Sequence, residues 1–479
     1  IISEPGGEFD HLFRNDGDKF TDVSRQTRIG EIAHLGLSAN WWDYNDDGLP
    51  DLYVANDFKG GDLLYRNNGK NHLGEYTFTN VMVDSIPHSP WFSMGSDITD
   101  INNDGRMDYF ATDMAGTNHY RDKLSMGGMS GPDSTAWFLN WPDPPQYVRN
   151  CLFLNSGTDR FMEIAFLAGL AKTDWTWTVK FDDFDNDGWE DVYFTNGMSR
   201  DWYNGDYKDE LRVKQLGKKE QVQYWMDKPV YALENRAYRN RGDLKFEDVS
   251  KNWGLDHSGV STGAASGDLD GDGADELVVP SLRETVSLAK DGAVYIVPGG
   301  ERRLGGQDFS DSVQLHGGSS WSRLGFGVEL PGDITGDGVA DLVASSPYDA
   351  GDLGVVYVFP GPVSDGSSDD AEVTITGTIP GGGLGGRIYG VGDVTGDGQP
   401  DLVLGDELDG RAWLFAGPVS GDLDTDDADV EWVGPAQSTM SNALCAPGDW
   451  DGDGVMELIV GAPSDSSGED RGGSVFLVS

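Results

Sequence analysis

Seven stretches of nine residues set oxygen-bearing side chains at alternate positions of a tight turn, a pattern suited to gripping a hard cation. They begin at Asp43 (DYNDDGLPD), Asp100 (DINNDGRMD), Asp183 (DFDNDGWED), Asp268 (DLDGDGADE), Asp333 (DITGDGVAD), Asp393 (DVTGDGQPD) and Asp449 (DWDGDGVME). Ca²⁺ takes about six to eight oxygens at roughly 2.3–2.6 Å, and glycine at position 6 permits a bend that a Cβ would forbid. Side-chain donors come from positions 1, 3, 5 and 9, with the main-chain carbonyl of position 7. They are Asp43, Asn45, Asp47, Asp51 with Leu49; Asp100, Asn102, Asp104, Asp108 with Arg106; and Asp183, Asp185, Asp187, Asp191 with Trp189. The next two sets are Asp268, Asp270, Asp272, Glu276 with Ala274, and Asp333, Thr335, Asp337, Asp341 with Val339. The last two are Asp393, Thr395, Asp397, Asp401 with Gln399, and Asp449, Asp451, Asp453, Glu457 with Val455. Loops with an acidic third position should hold metal hardest, because ligand charge tunes affinity.

The same opening starts an EF-hand, which needs a glutamate at position 12 and a helix on each side. Position 12 here is Val54, Ala111, Phe194, Val279, Ala344, Leu404 or Val460, and each loop runs into a short apolar stretch such as DLYVAN or ELIVGA. Such stretches read as buried strands, so the EF-hand reading fails. Loop starts lie 56 to 85 residues apart, a spacing of solenoids, propellers and arrays. The repeating unit is strand, loop, strand, connection, strand, turn, strand: LGLSANWW, DLYVAN, DLLYRNN and YTFTNVMV in the first. Four antiparallel strands per unit predict an all-β, seven-bladed β-propeller spanning 1–479 as one domain, with one calcium loop per blade. The last unit supplies three strands, and KFTDVS from Lys19 matches the outer strand elsewhere. The segment near 19–25 is therefore expected to close the last blade, which leaves HLFRND from His11 as a surplus strand.

Net charge is −48, from 34 basic and 82 acidic residues, so nucleic acid and anionic membranes are poor partners. No apolar run nears the ~18 residues of a membrane helix. Cys151 and Cys445 fall in different units and read as buried free thiols. The chain opens Ile-Ile-Ser, with neither an initiator Met nor a signal peptide, as if a processed segment were absent. Weak calcium sites need abundant Ca²⁺, which points to a secreted, extracellular or cell-surface protein.

With these motifs the chain resembles the FG-GAP/VCBS propellers, the group that includes the integrin α-subunit head, over nearly its whole length. From about residue 300, LGFGVELPGDITGDGVADLVASSP, GVVYVFPGP, LIVGAPS and GGSVFLVS look integrin-like. Residues 1 to about 280 are more similar to bacterial propellers related to cartilage acidic protein, in LFRNDGDKFTDVS, LLYRNNG and AYRNRGDLKFEDVSKNWGL. The idiom changes near residue 280. The resemblance implies a Ca²⁺ propeller holding up to seven ions. A loop in all seven units departs from integrins, which usually carry fewer.

Connections within a blade alternate faces, so the second-to-third connections lie opposite the metal loops. Two of them are long, about 115–149 and about 197–233, and connections beyond ~12–15 residues are usually functional or disordered. They are aromatic: Tyr120, Trp137, Phe138, Trp141 and Tyr147 in one; Trp202, Tyr203, Tyr207, Tyr224 and Trp225 in the other. The stretch DELRVKQLGKKEQVQYWM is a candidate short helix. Trp91 and Trp175, in the links entering these blades, belong near the same surface. Exposed rings suit carbohydrate stacking or a protein hot spot, and a cap over the propeller is the plainer alternative. The candidate ligand residues are Trp91, Trp137, Trp141, Tyr147, Trp175, Trp202, Tyr203 and Tyr207.

Three motifs mislead. Arg241-Gly242-Asp243 falls where sibling units have a hairpin turn. The G-x-S-x-G match over 259–263 and the G-x-G-x-x-G match over 381–386 both lead into strands, where their mechanisms need helices. The seven histidines show no zinc spacing. The reading is a calcium-stabilised extracellular binding or adhesion propeller, non-catalytic, recognising a protein or glycan. Alternatives are a polysaccharide lyase or hydrolase, for which His119, Arg121, Lys123, Arg200 and Lys208 are available, and a structural subunit of a surface assembly.

Overall fold

A strand covered on both faces has no need of polar alternation, and the stretches that follow the loops are buried along their whole length. Asp51–Asn56, Asp108–Ala111, Asp191–Asn196, Glu276–Ser281, Asp341–Ser346 and Asp401–Gly405 each lie second in a four-stranded antiparallel run. The computed structural model describes residues 8–9, 12–15, 20–29, 33–34, 36–57, 60–121, 144–198, 200–261, 263–281, 291–300, 312–406, 410–433, 443–448, 457–462 and 474–478. At 8–9, 13–15, 20–22, 33–34 and from 443 onward it describes the backbone alone.

Blade one is Gly36–Trp42, Asp51–Asn56, Leu63–Lys70 and Tyr76–Asn80, in chain order and in spatial order. Five more blades repeat it, beginning at Ser96–Thr99, Thr176–Asp182, Ala265–Gly267, Val328–Gly332 and Arg387–Gly392. The first strands of consecutive blades adjoin one another, which makes the arrangement a propeller. In blades four and five a two- or three-residue strand from the third-to-fourth connection of the next blade adds in parallel at the outer edge, covering groups an edge would expose.

Where the sequence predicts seven four-stranded blades, the structure has six. The last unit is a three-stranded antiparallel sheet of Ala443–Gly448, Glu457–Ala462 and Ser474–Val478. Phe20–Asp22 pairs with Phe13–Asn15, so the surplus strand and the expected closing strand form one hairpin, and Phe13–Asn15 runs close to Ser474–Val478. A helical turn, Ser24–Thr27, follows the hairpin, and Leu12, Val23 and Ile29 pack on Leu52, Val54 and Phe78 of blade one. Other blades are joined in the same way. Met82 and Ile86, after blade one, pack on Tyr109 and Phe153 of blade two, and Val249 and Trp253, after blade three, pack on Leu277 and Val279 of blade four. Each fully buried large apolar side chain contributes about 1.5–3 kcal/mol.

The connection over 197–233 carries two helices, Gly205–Lys214 and Lys218–Met226, where one was expected. Asn204 caps the first by accepting the amides of Asp206 and Tyr207 at 3.1 and 3.2 Å. The break comes at Gln215, in the left-handed region at φ 47°, and Gly217, a poor helix former that opens the second helix. From the other long connection, Gln146–Tyr147 pairs in parallel with Ser89–Pro90.

Candidate metal centres and the insertion face

All six described loops close in the same way. The carboxylate at position 1 accepts the amides of positions 5 and 6, as when Asp47 and Gly48 donate to Asp43 at 3.0 and 2.6 Å. The matching pairs at Asp100, Asp183, Asp268, Asp333 and Asp393 lie between 2.6 and 3.1 Å. Position 6 has φ between 84 and 95° in every copy, the left-handed region that favours glycine. Position 4 is left-handed too, and is Asp46, Asn103, Asn186, Gly271, Gly336 or Gly396, the residue types that tolerate it. The Asp/Asn/Gly restriction at position 4 was visible in the sequence and had not been read as a conformational demand.

Position 9 opens the second strand and reaches across to the third. Asp51 accepts the amide of Asn67 at 2.6 Å, Asp108 that of Asn155 at 2.7 Å and Asp191 that of Asn240 at 2.8 Å. Burial pushes Asp51 and Asp108 up to about 7 and Asp191 up to about 8, against the pull of those amides.

Carboxylate oxygens of Asp183, Asp185 and Asp191 lie within 4.8 Å of one another, as do those of Asp268, Asp270 and Glu276. These are the two described loops with an acidic third position. Oδ1 of Asp185 and Oδ2 of Asp191 are buried without accepting a hydrogen bond. Arg239 brings a positive charge from the third strand, with Nε 2.7 Å from Asp185 Oδ2 and Nη2 donating to Asp187 at 2.6 Å. Orphaned acceptors in an all-oxygen set fit a hard divalent cation, whereas thiophilic metals prefer sulfur. Asp449, Asp451, Asp453 and Val455 lie outside the described residues, and Glu457 contributes only its backbone.

On the opposite face, Trp175 meets Tyr203 with ring centroids 4.8 Å apart and planes tilted by 39°, and Trp91, Trp202 and Tyr203 pack against a buried group of Phe92, Met94, Met114, Trp175, Met198 and Leu233. Much of the aromatic content is therefore a cap. Tyr207 sits beside Trp225, and Lys228 Nζ lies 4.1 Å from the Tyr207 ring centroid. Tyr147 stands apart from these, against His88 and Arg149. Trp137 and Trp141 lie outside the described residues. A groove of about 340 Å³ not foreseen from the sequence is lined by Trp202, Lys218, Gln221, Val222, Trp225 and Met226.

Two of the cations considered for catalysis serve as ties, while Lys208 Nζ lies 4.4 Å from the Tyr203 ring centroid and His119 is exposed. Arg121 pairs with buried Asp174 at 2.6 Å, and Arg200 donates to the carbonyls of Trp225 and Met226; Lys123 lies outside the described residues. Cys151, His88 and Glu163 do line up, with Sγ 3.5 Å from Nδ1 and Nε2 3.3 Å from Oε2. Yet Cys151 is fully buried, and burial holds its thiol well above the ordinary value, so no thiolate is presented to a substrate. Arg241-Gly242-Asp243 is a hairpin turn, with Gly242 at φ 71° against the Trp189 ring.

Residues 43–111 and 393–460 match the FG-GAP-like repeat family model, and 329–359 match the FG-GAP repeat. Human integrin alpha-X is 28% identical over 212 residues, covering 41% of this chain and 18% of that protein. Drosophila melanogaster integrin alpha-PS5 is 31% identical over 161 residues, covering 31% of this chain and 16% of that protein. The chain thus spans less than a fifth of these relatives' length. A solved structure titled as recognition of non-reducing terminal N-acetylglucosamine by an Agrocybe aegerita lectin aligns over 89% of this chain and 88% of that chain. Its TM-score is 0.46 at 14% identity, a likeness too slight to bear on ligands. No helix among the described residues is long and apolar enough to cross a membrane. Blades, repeats and relatives together make this chain an FG-GAP β-propeller, integrin α-like in its repeats.

Proposed function

We propose that the chain is a calcium-stabilised, non-catalytic propeller that binds a protein or carbohydrate partner through the face bearing the two insertions, outside the cell or at its surface. The observation that carries this is the repeated loop, pinned at position 1 by two amides and tied at position 9 to the third strand, with acceptors left over. In each loop the side chains at 1, 3, 5 and 9 and the carbonyl at 7 would hold the ion, for up to seven ions with the loop at Asp449. A bound dication offsets the repulsion of carboxylates crowded into one turn and so ties the first three strands of a blade together. Integrin relatives support a binding role. The test is a glycan, polysaccharide and protein panel in millimolar Ca²⁺, read for both binding and unsaturated sugar products. Binding without products is expected, weakened when 197–233 is shortened; product formation would contradict it.

A further inference from the structure

We infer that the helical hairpin of the second insertion is a docking site for an acidic peptide segment that presents one large apolar side chain to the groove between Trp202 and Trp225. The inference rests on the binding role proposed above and narrows it to one surface and one partner chemistry. Four of the six groove-lining residues, Trp202, Val222, Trp225 and Met226, are apolar. Val222 and Met226 are 64% and 53% exposed, and Val213 on the first helix is 83% exposed. An apolar surface this open on a helical pair suits an inserted side chain. A sugar would want convergent hydrogen-bonding groups. The groove offers only Lys218 and Gln221, and Gln221 Nε2 already donates to the Leu216 carbonyl at 2.7 Å.

Charge selects the partner. On a chain of net charge −48, residues 212–219 hold Arg212, Lys214, Lys218 and Lys219, followed by Glu220, whose carboxylate accepts the Gly217 amide at 2.9 Å. Arg212 is paired with Asp209 and Lys214 with Glu210. Lys218 and Lys219 are exposed, and among the described residues neither has an acidic partner. Two such lysines beside an apolar groove are a local complement to carboxylates flanking an apolar anchor. The floor is firm, because Arg200 caps the carbonyls of Trp225 and Met226, and Tyr224 Oη donates to Glu210 at 2.7 Å.

The test pans a displayed random-peptide library against the whole chain in Ca²⁺ and synthesises the enriched peptides. The expected peptides are rich in Asp and Glu around an invariant Leu, Phe, Trp or Met. Their affinity should fall at least tenfold with Trp225→Ala and with the pair Lys218→Glu and Lys219→Glu, and should fall with added salt. The charge reversals are on exposed side chains and keep the test valid if Trp225→Ala loosens the hairpin; circular dichroism checks both variants. No enrichment, enrichment without acidic bias, or binding indifferent to both variants would overturn the inference. If glycans bind through Trp202 and Trp225 instead, the binding role stands and this inference falls. Self-association abolished by the charge reversals would also overturn it, since the occupant would then be a second copy.

Discussion

Blades one to three and blades four to six reach one geometry by two chemistries. Between blades one and two the core is aromatic: Trp42 lies parallel to Tyr109 at 5.4 Å, and Tyr53 and Phe153 pack on the same ring. Between blades five and six it is mostly aliphatic, built from Val343, Val356, Val358, Ile375, Leu402 and Leu404. The same contrast appears in the tie from each blade to the loop before it. Asn155 Nδ2 donates to the Tyr44 carbonyl at 2.8 Å, and Asn240 Nδ2 to the Ile101 carbonyl at 2.8 Å. In the later half the equivalent carbonyls are reached by main chain, with the amide of Gly300 bonding Phe184 O at 3.0 Å and that of Val419 bonding Ile334 O at 2.9 Å. The ring therefore demands a donor at this place and is indifferent to its source, which is why the sequence idiom changes near residue 280 without a change of fold.

Core deletions should have the largest effect on that comparison. Phe153→Ala should cost about 3–5 kcal/mol and Leu404→Ala about 2–5 kcal/mol, measured by urea melts in Ca²⁺. A neutral result at either would break the claim that both halves are tightly packed.

The inter-blade ties come next. Asn240→Ala strands the buried carbonyls of Ile101 and Glu190, for a loss of about 1–3 kcal/mol. Gly299→Ala would set a Cβ 2.3 Å from the Asp275 carbonyl oxygen, and overpacking of that kind also costs about 1–3 kcal/mol. Comparable losses are expected from unlike residues. A silent Asn240→Ala would show that the side-chain tie is dispensable; Gly299→Ala, whose Cβ would meet the loop of its own blade, probes packing there rather than a tie.

A smaller effect is pH-dependent. Asp62, between the second and third strands of blade one, accepts from Tyr53 Oη at 2.7 Å, Ser93 Oγ at 2.8 Å and the Asn56 amide at 2.9 Å, yet burial pushes it up to about 7. Its folded value is raised above the unfolded one, so its contribution is fully present at low pH and lost as pH rises through about 7. Between pH 5 and 8 the wild type should lose more stability than Asp62→Asn. Parallel pH profiles would contradict that.

Loops, blade strands and the glycine at position 6 were legible because each is local: nine residues fix the turn, and apolar runs fix the strands. Four-stranded blades followed from the repeat. Arg239 beside Asp185 and Asp187 was not legible, since the contact spans more than fifty residues of chain and Leu154 stands at the matching place in blade two. The insertion aromatics were visible as a composition, but the division between cap and groove depends on which rings meet. Trp225, outside the candidate ligand residues, lines the groove, whereas Trp175, one of them, is buried. The hairpin at 13–22 departs from repeat logic, because the expected closing strand pairs with the surplus strand.

Calcium-dependent stability tests the central claim most directly, with Asp185→Ala as the internal control. Thermal melts of wild type and variant are compared in millimolar Ca²⁺ and in excess chelator, with metal content verified. Native-state binding raises stability with ligand concentration, so wild type should melt markedly lower in chelator and recover fully when Ca²⁺ is returned. Asp185→Ala should melt below wild type in Ca²⁺ and differ less from it in chelator, where the loop has no ion to lose. A wild-type melt unchanged by verified metal removal, with Asp185→Ala equally destabilised in both conditions, would contradict the account.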